Sequence, residues 1–163
     1  MRNSFAIKLK EYVRWLITLI LIMIVAWYVS HYHYQLMMIQ GNSMYPSYRN
    51  MQLVILDKHS DMYTYGDVIA FWCDGLEAVL VKRVVACQGD TVLIENGRLF
   101  VNGVESELFG QDTIFGYAGI AKTEVVLQNE QYFVIGDNIA ESRDSRYEDV
   151  GVIFWENIIG KIK

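Results

Sequence analysis

The sequence predicts a mainly β protein, a compact coiled β-sheet or partial barrel carried behind one N-terminal transmembrane helix. Three observations predict it. A basic flank is followed by an uninterrupted apolar run, Trp15 to Val29. Beyond it, short apolar stretches alternate with turn residues at close spacing, as in coiled all-β domains. One pair of these stretches is split by Asn96-Gly97, the strongest short hairpin signal.

Residues 1–14 hold Arg2, Lys8, Lys10 and Arg14 against Glu11, although the chain as a whole carries a formal net charge of -5. Basic residues beside an apolar run place that end in the cytoplasm. At about 1.5 Å per residue Trp15–Val29 covers about 22 Å, short of a ~30 Å hydrocarbon core. Tyr12, Val13, a snorkelling Arg14 and the aromatic belt Trp27, Tyr28, Tyr32 and Tyr34 lengthen the span. A cleavable signal peptide would need small residues after the run, and Trp27-Tyr28-Val29-Ser30-His31-Tyr32 is bulky. The expected organisation is a cytoplasmic flank over 1–14, an uncleaved transmembrane anchor and interface over 15–34, and an extracytoplasmic domain over 35–163.

The expected strands follow in order. Leu36–Gln40 is a short extended run and Leu53–Asp57 a second. Val68–Cys73 and Val79–Cys87 form a hairpin about Asp74-Gly75-Leu76-Glu77, with Cys73 facing Ala78 and Ile69 facing Lys82. In that register Cys87 lies on the order of 30 Å from Cys73 at about 3.3 Å per residue. A disulfide needs Cα atoms within about 7 Å, so no bridge is expected. Thr91–Glu95 and Arg98–Val101 flank the Asn-Gly turn. Residues 103–122 read as loop or a small excursion, Val125–Leu127 and Tyr132–Ile135 as strands, and Val152–Ile159 as the strand that closes the sheet. With 163 residues, 53% of them apolar and 20% charged, there is room for one real core plus an anchor. The acidic balance argues against nucleic-acid binding. There is no repeat, no low-complexity tract and no Gly-rich phosphate loop.

Lys82 is the residue that breaks the pattern. Alternation puts it on one face with Leu80, Val84 and Ala86, where an ammonium loses hydration. Desolvation favours the neutral amine and can lower a lysine pKa by roughly 3–5 units on full burial. A neutral lysine is a base. Upstream, Ser43 lies in the turn-rich Gly41-Asn42-Ser43-Met44-Tyr45-Pro46, placed to offer a hydroxyl to such a base. The pair suggests serine–lysine hydrolytic chemistry.

Three blocks extend this reading: Gly41 to Ser47, Lys82 to Asp90, and Gly136-Asp137-Asn138-Ile139-Ala140-Glu141-Ser142-Arg143-Asp144-Ser145-Arg146. In order and type, behind the anchor, they resemble the bacterial type I signal peptidases, in their short Gram-positive-like form. The resemblance covers nearly the whole chain. It implies a membrane endopeptidase that removes signal peptides from exported preproteins after a small-x-small sequence, typically Ala-x-Ala, with no cofactor and no metal. It implies Ser43 as nucleophile, Lys82 as general base and Ser142 as the serine that hydrogen-bonds and orients the lysine. Asp144 and Arg146 match a structural ion pair, and Gly136 and Asp137 a turn passing close behind the lysine. Met44 and Pro46 match residues that fix the backbone around the nucleophile. Gly41 stands where some members carry a hydroxyl that helps hold the oxyanion. Ala86-Cys87-Gln88, Ile139 and the loop Tyr147–Val150 also depart from the pattern.

Other readings set limits on this one. Taken singly, Ser43 is an ordinary turn serine, Lys82 a snorkelling edge lysine, and Ser142 and Asp144 loop caps; only together do they carry chemistry. Met37, Met38 and Ile39 read either as core or as an apolar surface meeting lipid and preprotein. His31 and His33 have ligand-like spacing without a third partner, and His59 offers a Ser–His mechanism only against the family pattern. An extended substrate would add as a strand between the run before Ser43 and the strand of Lys82, with Met37, Ile39, Leu80 and Val84 as pocket walls. The alternatives are a processing protease with a single client (pilin, conjugation or phage protein) and a non-catalytic membrane-anchored binding module. The expected partners are signal-peptide-bearing preproteins and the lipid membrane.

Overall fold

The computed structural model describes the backbone of residues 2–163 apart from 61 and 111, and the side chains of these apart from 2–7 and 30–32. The expected roles of the Arg2, His31 and Tyr32 side chains therefore lie outside the described residues. Helix α1 runs over Arg2–Tyr32. No glycine or proline interrupts it, so nothing in the sequence breaks its hydrogen-bond ladder. Thr18, the one hydroxyl in the middle of the apolar run, donates to the Arg14 carbonyl at 2.9 Å and so satisfies itself within the helix. The stretch Lys8–Val29 has a mean hydropathy of 2.0 and none of it is buried against the rest of the protein. Its 22 residues make it long and apolar enough to cross a membrane, because the helix continues past both ends of the apolar run.

The strands begin directly after the helix: β1 (Tyr34–Met38), β2 (Leu53–Asp57), β3 (Val68–Cys73), β4 (Ala78–Ala86), β5 (Thr91–Glu95) and β6 (Arg98–Val101). They continue as β7 (Val104–Glu105), β8 (Val125–Val126), β9 (Gln131–Ile135), β10 (Ile153–Phe154) and β11 (Ile158–Ile162). Among the described residues they form one sheet in the order β1-β2-β11-β3-β4-β9-β10 and a smaller one in the order β7-β6-β5-β8. The expected hairpin register holds: Cys73 pairs with Ala78 and Ile69 with Lys82. Its turn is a 3₁₀ turn over Asp74–Leu76 closed by Glu77 in the left-handed region. The Asn96-Gly97 turn has φ of 51° and 75°, as a two-residue hairpin loop requires.

Two expectations are corrected. The closing segment is not one strand over Val152–Ile159. It is broken by a 3₁₀ turn at Trp155–Asn157, because β10 pairs with β9 at one end of the sheet while β11 inserts between β2 and β3. The alternation of β4 also fails at its end. A bulge between Val84 and Ala86 leaves Val85 and Ala86 buried in the same cluster, with Phe133 and Ile135. Val84 itself is fully buried with Ile69, Phe71 and Val134.

Besides β10 at the far end of the order, two edges of the larger sheet lack a neighbour among the described residues. β1 ends the strand order and pairs with β2 alone, and β4 pairs with β9 only from Arg83 onward. The first half of β4, Ala78–Lys82, is bonded on one side only. The core between these edges holds Ile39, Met44, Val54, Leu56 and Ala70. Each thiol points at a carbonyl: Cys73 at Asp149 (3.6 Å) and Cys87 at Tyr63 (3.5 Å). Burial pushes the Cys87 thiol up to about 11, which keeps it protonated.

Candidate active site

Ser43 sits in a loop fastened at several points. Met44, 1% exposed, anchors it in the core beside Ile39 and Val54. The Gly41 N–H is held by Asn50 Oδ1 at 2.9 Å, and the Tyr45 N–H by the Asn42 carbonyl at 3.0 Å. From across the site, the Asn138 N–H donates to the Ser43 carbonyl at 2.9 Å, and Asn138 Nδ2 to the Asn42 carbonyl at 3.2 Å. Gly136 makes this approach possible. A Cβ there would lie 2.2 Å from Ser142 Oγ and 2.5 Å from the Ser43 carbonyl oxygen, far inside contact distance.

Lys82 rises from β4 into the same space. It is 3% exposed, and its Nζ lies 2.8 Å from Ser43 Oγ and 3.0 Å from the Val81 carbonyl oxygen. Burial lowers its pKa from 10.5 to about 8, against the opposing pull of Asp144 and Asp137, whose charges favour the ammonium. At pH 7 about one lysine in ten is then neutral, and at pH 9 about nine in ten. A buried amine touching a hydroxyl is the arrangement that activates a serine oxygen.

The loop behind the lysine is built on two ion pairs. Arg146 and Asp144 are buried, with Nε–Oδ1 at 2.8 Å and Nη2–Oδ2 at 2.9 Å, and Asp144 Oδ2 also accepts the Gly136 N–H at 3.1 Å. Arg146 further donates to the carbonyls of Ile139 and Ser142, so one guanidinium holds the loop shut. The second pair was not anticipated. Arg83, next to Lys82, grips Asp137 with two bonds of 2.7 and 2.6 Å and donates to the Gly66 carbonyl at 2.7 Å. It ties the lysine strand to the loop that holds Ser43. A lone Arg beside Lys82 on a strand was the only signal available, and its partner lies 54 positions away.

Ser142 is placed differently from the role its resemblance implied. It is buried beside Gly136, yet its Oγ makes no hydrogen bond, and the partners of Lys82 are Ser43 and Val81. The amine already has two oxygens within 3.0 Å.

A cleft of about 360 Å³ opens over the Ser43–Lys82 contact. Met37, Met38 and Ile39 wall one side, Val79 and Leu80 the other, and Leu56 and Ile159 lie between. Met37, Ile39 and Leu80, the expected pocket walls, are among the residues lining this cleft. Val84 does not line the cleft, since the core encloses it. Gln35, Gln40, Val79 and Ile159 line it without having been anticipated; Ile159 comes from the far end of the chain. A larger apolar groove of about 1250 Å³ lies between α1 and the β1–β2 edge. It is lined by neither Ser43 nor Lys82. His33 and His59 meet each other edge-on at 5.1 Å, and the bonding partner of Ser43 Oγ is Lys82. Among the described residues no group of three or more His, Cys, Asp or Glu is arranged to hold a metal ion.

Comparison with known proteins converges on one family. The sequence model described as "Signal peptidase, peptidase S26" matches residues 12–163. Signal peptidase I S of Bacillus subtilis (strain 168) is 25% identical over 174 residues, covering 100% of this chain and 93% of the relative. Signal peptidase I of Bacillus amyloliquefaciens is 27% identical over 166 residues, covering 96% and 86%. The crystal structure of a signal peptidase I from Enterococcus faecalis V583 superposes with a TM-score of 0.52 at 25% identity, over 63% of this chain and 98% of that one.

Proposed function

Because the chain belongs to the signal peptidase, peptidase S26 family, serine endopeptidases that cleave signal peptides, we propose that Ser43 is its nucleophile and Lys82 its general base. The observation that carries this reading is the 2.8 Å contact between Ser43 Oγ and a buried amine whose pKa is about 8. The neutral Lys82 takes the Ser43 proton as Oγ attacks the scissile carbonyl. The Ser43 N–H receives the oxyanion, since the Gly41 N–H is engaged by Asn50 and Gly41 brings no hydroxyl. The ammonium then protonates the departing amine, leaving an acyl-enzyme. A water, deprotonated by the again neutral Lys82, attacks the ester and restores the serine with release of the new carboxylate.

Asp144, Arg146, Asp137 and Gly136 act as positioning residues: they set the loop against which Ser43 and Lys82 meet. Ser142 belongs to the same group, and its hydroxyl, without a partner in the free enzyme, engages the lysine as it takes up the proton. The substrate enters extended, hydrogen-bonding to the edge of β1 and to Ala78–Lys82 of β4. Its side chains at one and three places before the cut face Met37, Ile39 and Leu80, which leave room for small residues and so favour Ala-x-Ala. Helix α1 anchors the enzyme in the membrane with the basic flank in the cytoplasm and residues 35–163 on the outer side.

The test uses the purified full chain in detergent with a preprotein ending in Ala-x-Ala. Cleavage at that site, mapped by end-sequencing, is expected for wild type and lost in Ser43→Ala and Lys82→Ala. Cleavage that persists in either variant removes the mechanism.

A further inference from the structure

We propose that the apolar groove between α1 and β1 is a second substrate site, which receives the apolar segment preceding the cleavage sequence in the same preprotein. The inference rests on the Ser43–Lys82 reading above. Groove and cleft lie on opposite faces of β1–β2 and meet at Gln35. β1 is a wall of both, and Gln35 lines both. Tyr34 and Leu36 turn to the groove, while Met37 and Met38 belong to the cleft.

Direction follows from the chemistry. The side chains one and three places before the cut are read in the cleft beside β1, so the residues before the cut run from Ser43 back toward Gln35. At about 3.3 Å per residue, an extended chain passes from beside Gln40 to beside Gln35 in five or six residues. The next residue emerges where the groove begins.

The groove suits what would arrive there. Leu21, Ile22 and Val25 of α1 face Leu36 and Ile55 of the sheet edge, and all five are exposed. The cation at its mouth, Lys163, is paired with Asp57 at 2.8 Å and asks for no acidic ligand. A helix about 10 Å across, rising about 1.5 Å per residue, fills about 120 Å³ per residue. The groove of about 1250 Å³ thus admits about ten residues, roughly three turns of helix. A ligand with a short extended tail joined to a three-turn apolar segment fits both spaces at once.

The test uses the full chain in detergent micelles and two peptides with the same residues from six before to four after the cut. One peptide carries ten leucines and alanines upstream; the other stops. Wild type is expected to favour the long peptide more than tenfold in kcat/KM. Ala26→Trp, which fills the groove from α1, should bring that ratio close to one. An undiminished ratio in Ala26→Trp, or no preference in wild type, overturns the proposal. A photoreactive residue eight places before the cut, used with wild type, checks it without a variant. Label on α1 between Thr18 and Val29 or on Leu36 supports the groove; label on lipid or detergent alone, or elsewhere on the chain, overturns it. Short-peptide cleavage by wild type keeps the two questions apart, because its absence counts against the Ser43–Lys82 reading and not against the groove.

Discussion

Replacing Lys82 by methionine should stabilise the protein at neutral pH while abolishing its activity. The folded-state pKa of about 8 lies below the 10.5 of the unfolded chain. At about 1.4 kcal/mol per pH unit, holding the ammonium in this site costs about 3 kcal/mol. The unfolded state binds the extra proton between about 8 and 10.5, so wild-type stability rises with pH across that window. Below about 8 the penalty is present in full. Methionine has a similar reach and no charge, but Ser43 Oγ and the Val81 carbonyl each lose a bond worth about 1 kcal/mol. The variant is therefore expected to be more stable than wild type by about 1 kcal/mol at pH 7 and less stable by about 2 kcal/mol at pH 10.5. The assay is urea unfolding of the detergent-solubilised chain, followed by β-sheet circular dichroism at both pH values. Titrations of groups that do not interact with Lys82 are common to the two proteins and cancel in the difference. A stability difference that stays constant from pH 7 to 10.5 would refute the argument that this amine is held dry.

Further outcomes are expected. The kcat/KM of wild type should rise with pH to a plateau with an apparent pKa of about 8, and at pH 6 reach about one hundredth of that plateau, because only neutral Lys82 accepts the serine proton; a flat profile over pH 6–8 would count against it. Asp137→Asn removes a charge that favours the ammonium and loosens the Arg83 grip. Its pH–rate midpoint should move below about 8 while kcat falls about tenfold, and a midpoint moving upward would contradict the stated electrostatics. Gly136→Ala forces a methyl into Ser142 and the Ser43 carbonyl, and cleavage should drop more than a hundredfold when measured on the folded fraction. Ser142→Ala removes a hydroxyl that has no partner in the free enzyme, so unfolding free energy should change by less than about 1 kcal/mol. If that hydroxyl engages the lysine only during reaction, kcat falls about tenfold with KM nearly constant.

What could be read in advance follows the range of each signal. β2, β3, β5 and β6 fall where their sequences place them, because a short alternating stretch bounded by turn residues is a local message. The β3–β4 register was legible for the same reason: one four-residue turn dictates every pair after it, including Ile69 with Lys82. Lys82 stands out because a lysine among apolar residues is locally anomalous. Long-range geometry was not accessible. The bulge between Val84 and Ala86 is a property of β4 against β9, and Val84, a supposed pocket wall, lies in the core where β9 already covers β4 from Arg83 onward. The split between β10 and β11 depends on which edges remain unfilled after the other strands pair. The Arg83–Asp137 grip joins two blocks that were each recognised, but nothing in either block says that they touch.

The unpaired edges of β1 and of the start of β4 both border the cleft that holds Ser43. On the proposed reading a bound preprotein acts as a temporary strand of its own protease, and the finished architecture exists only while work is under way. Main-chain amides see any client alike, so one enzyme can serve many unrelated exports and leave discrimination to two small side chains. The same indifference carries a hazard: any stray extended peptide could lodge there, unless tethering to the bilayer ensures that the polymers presented are mostly the intended ones.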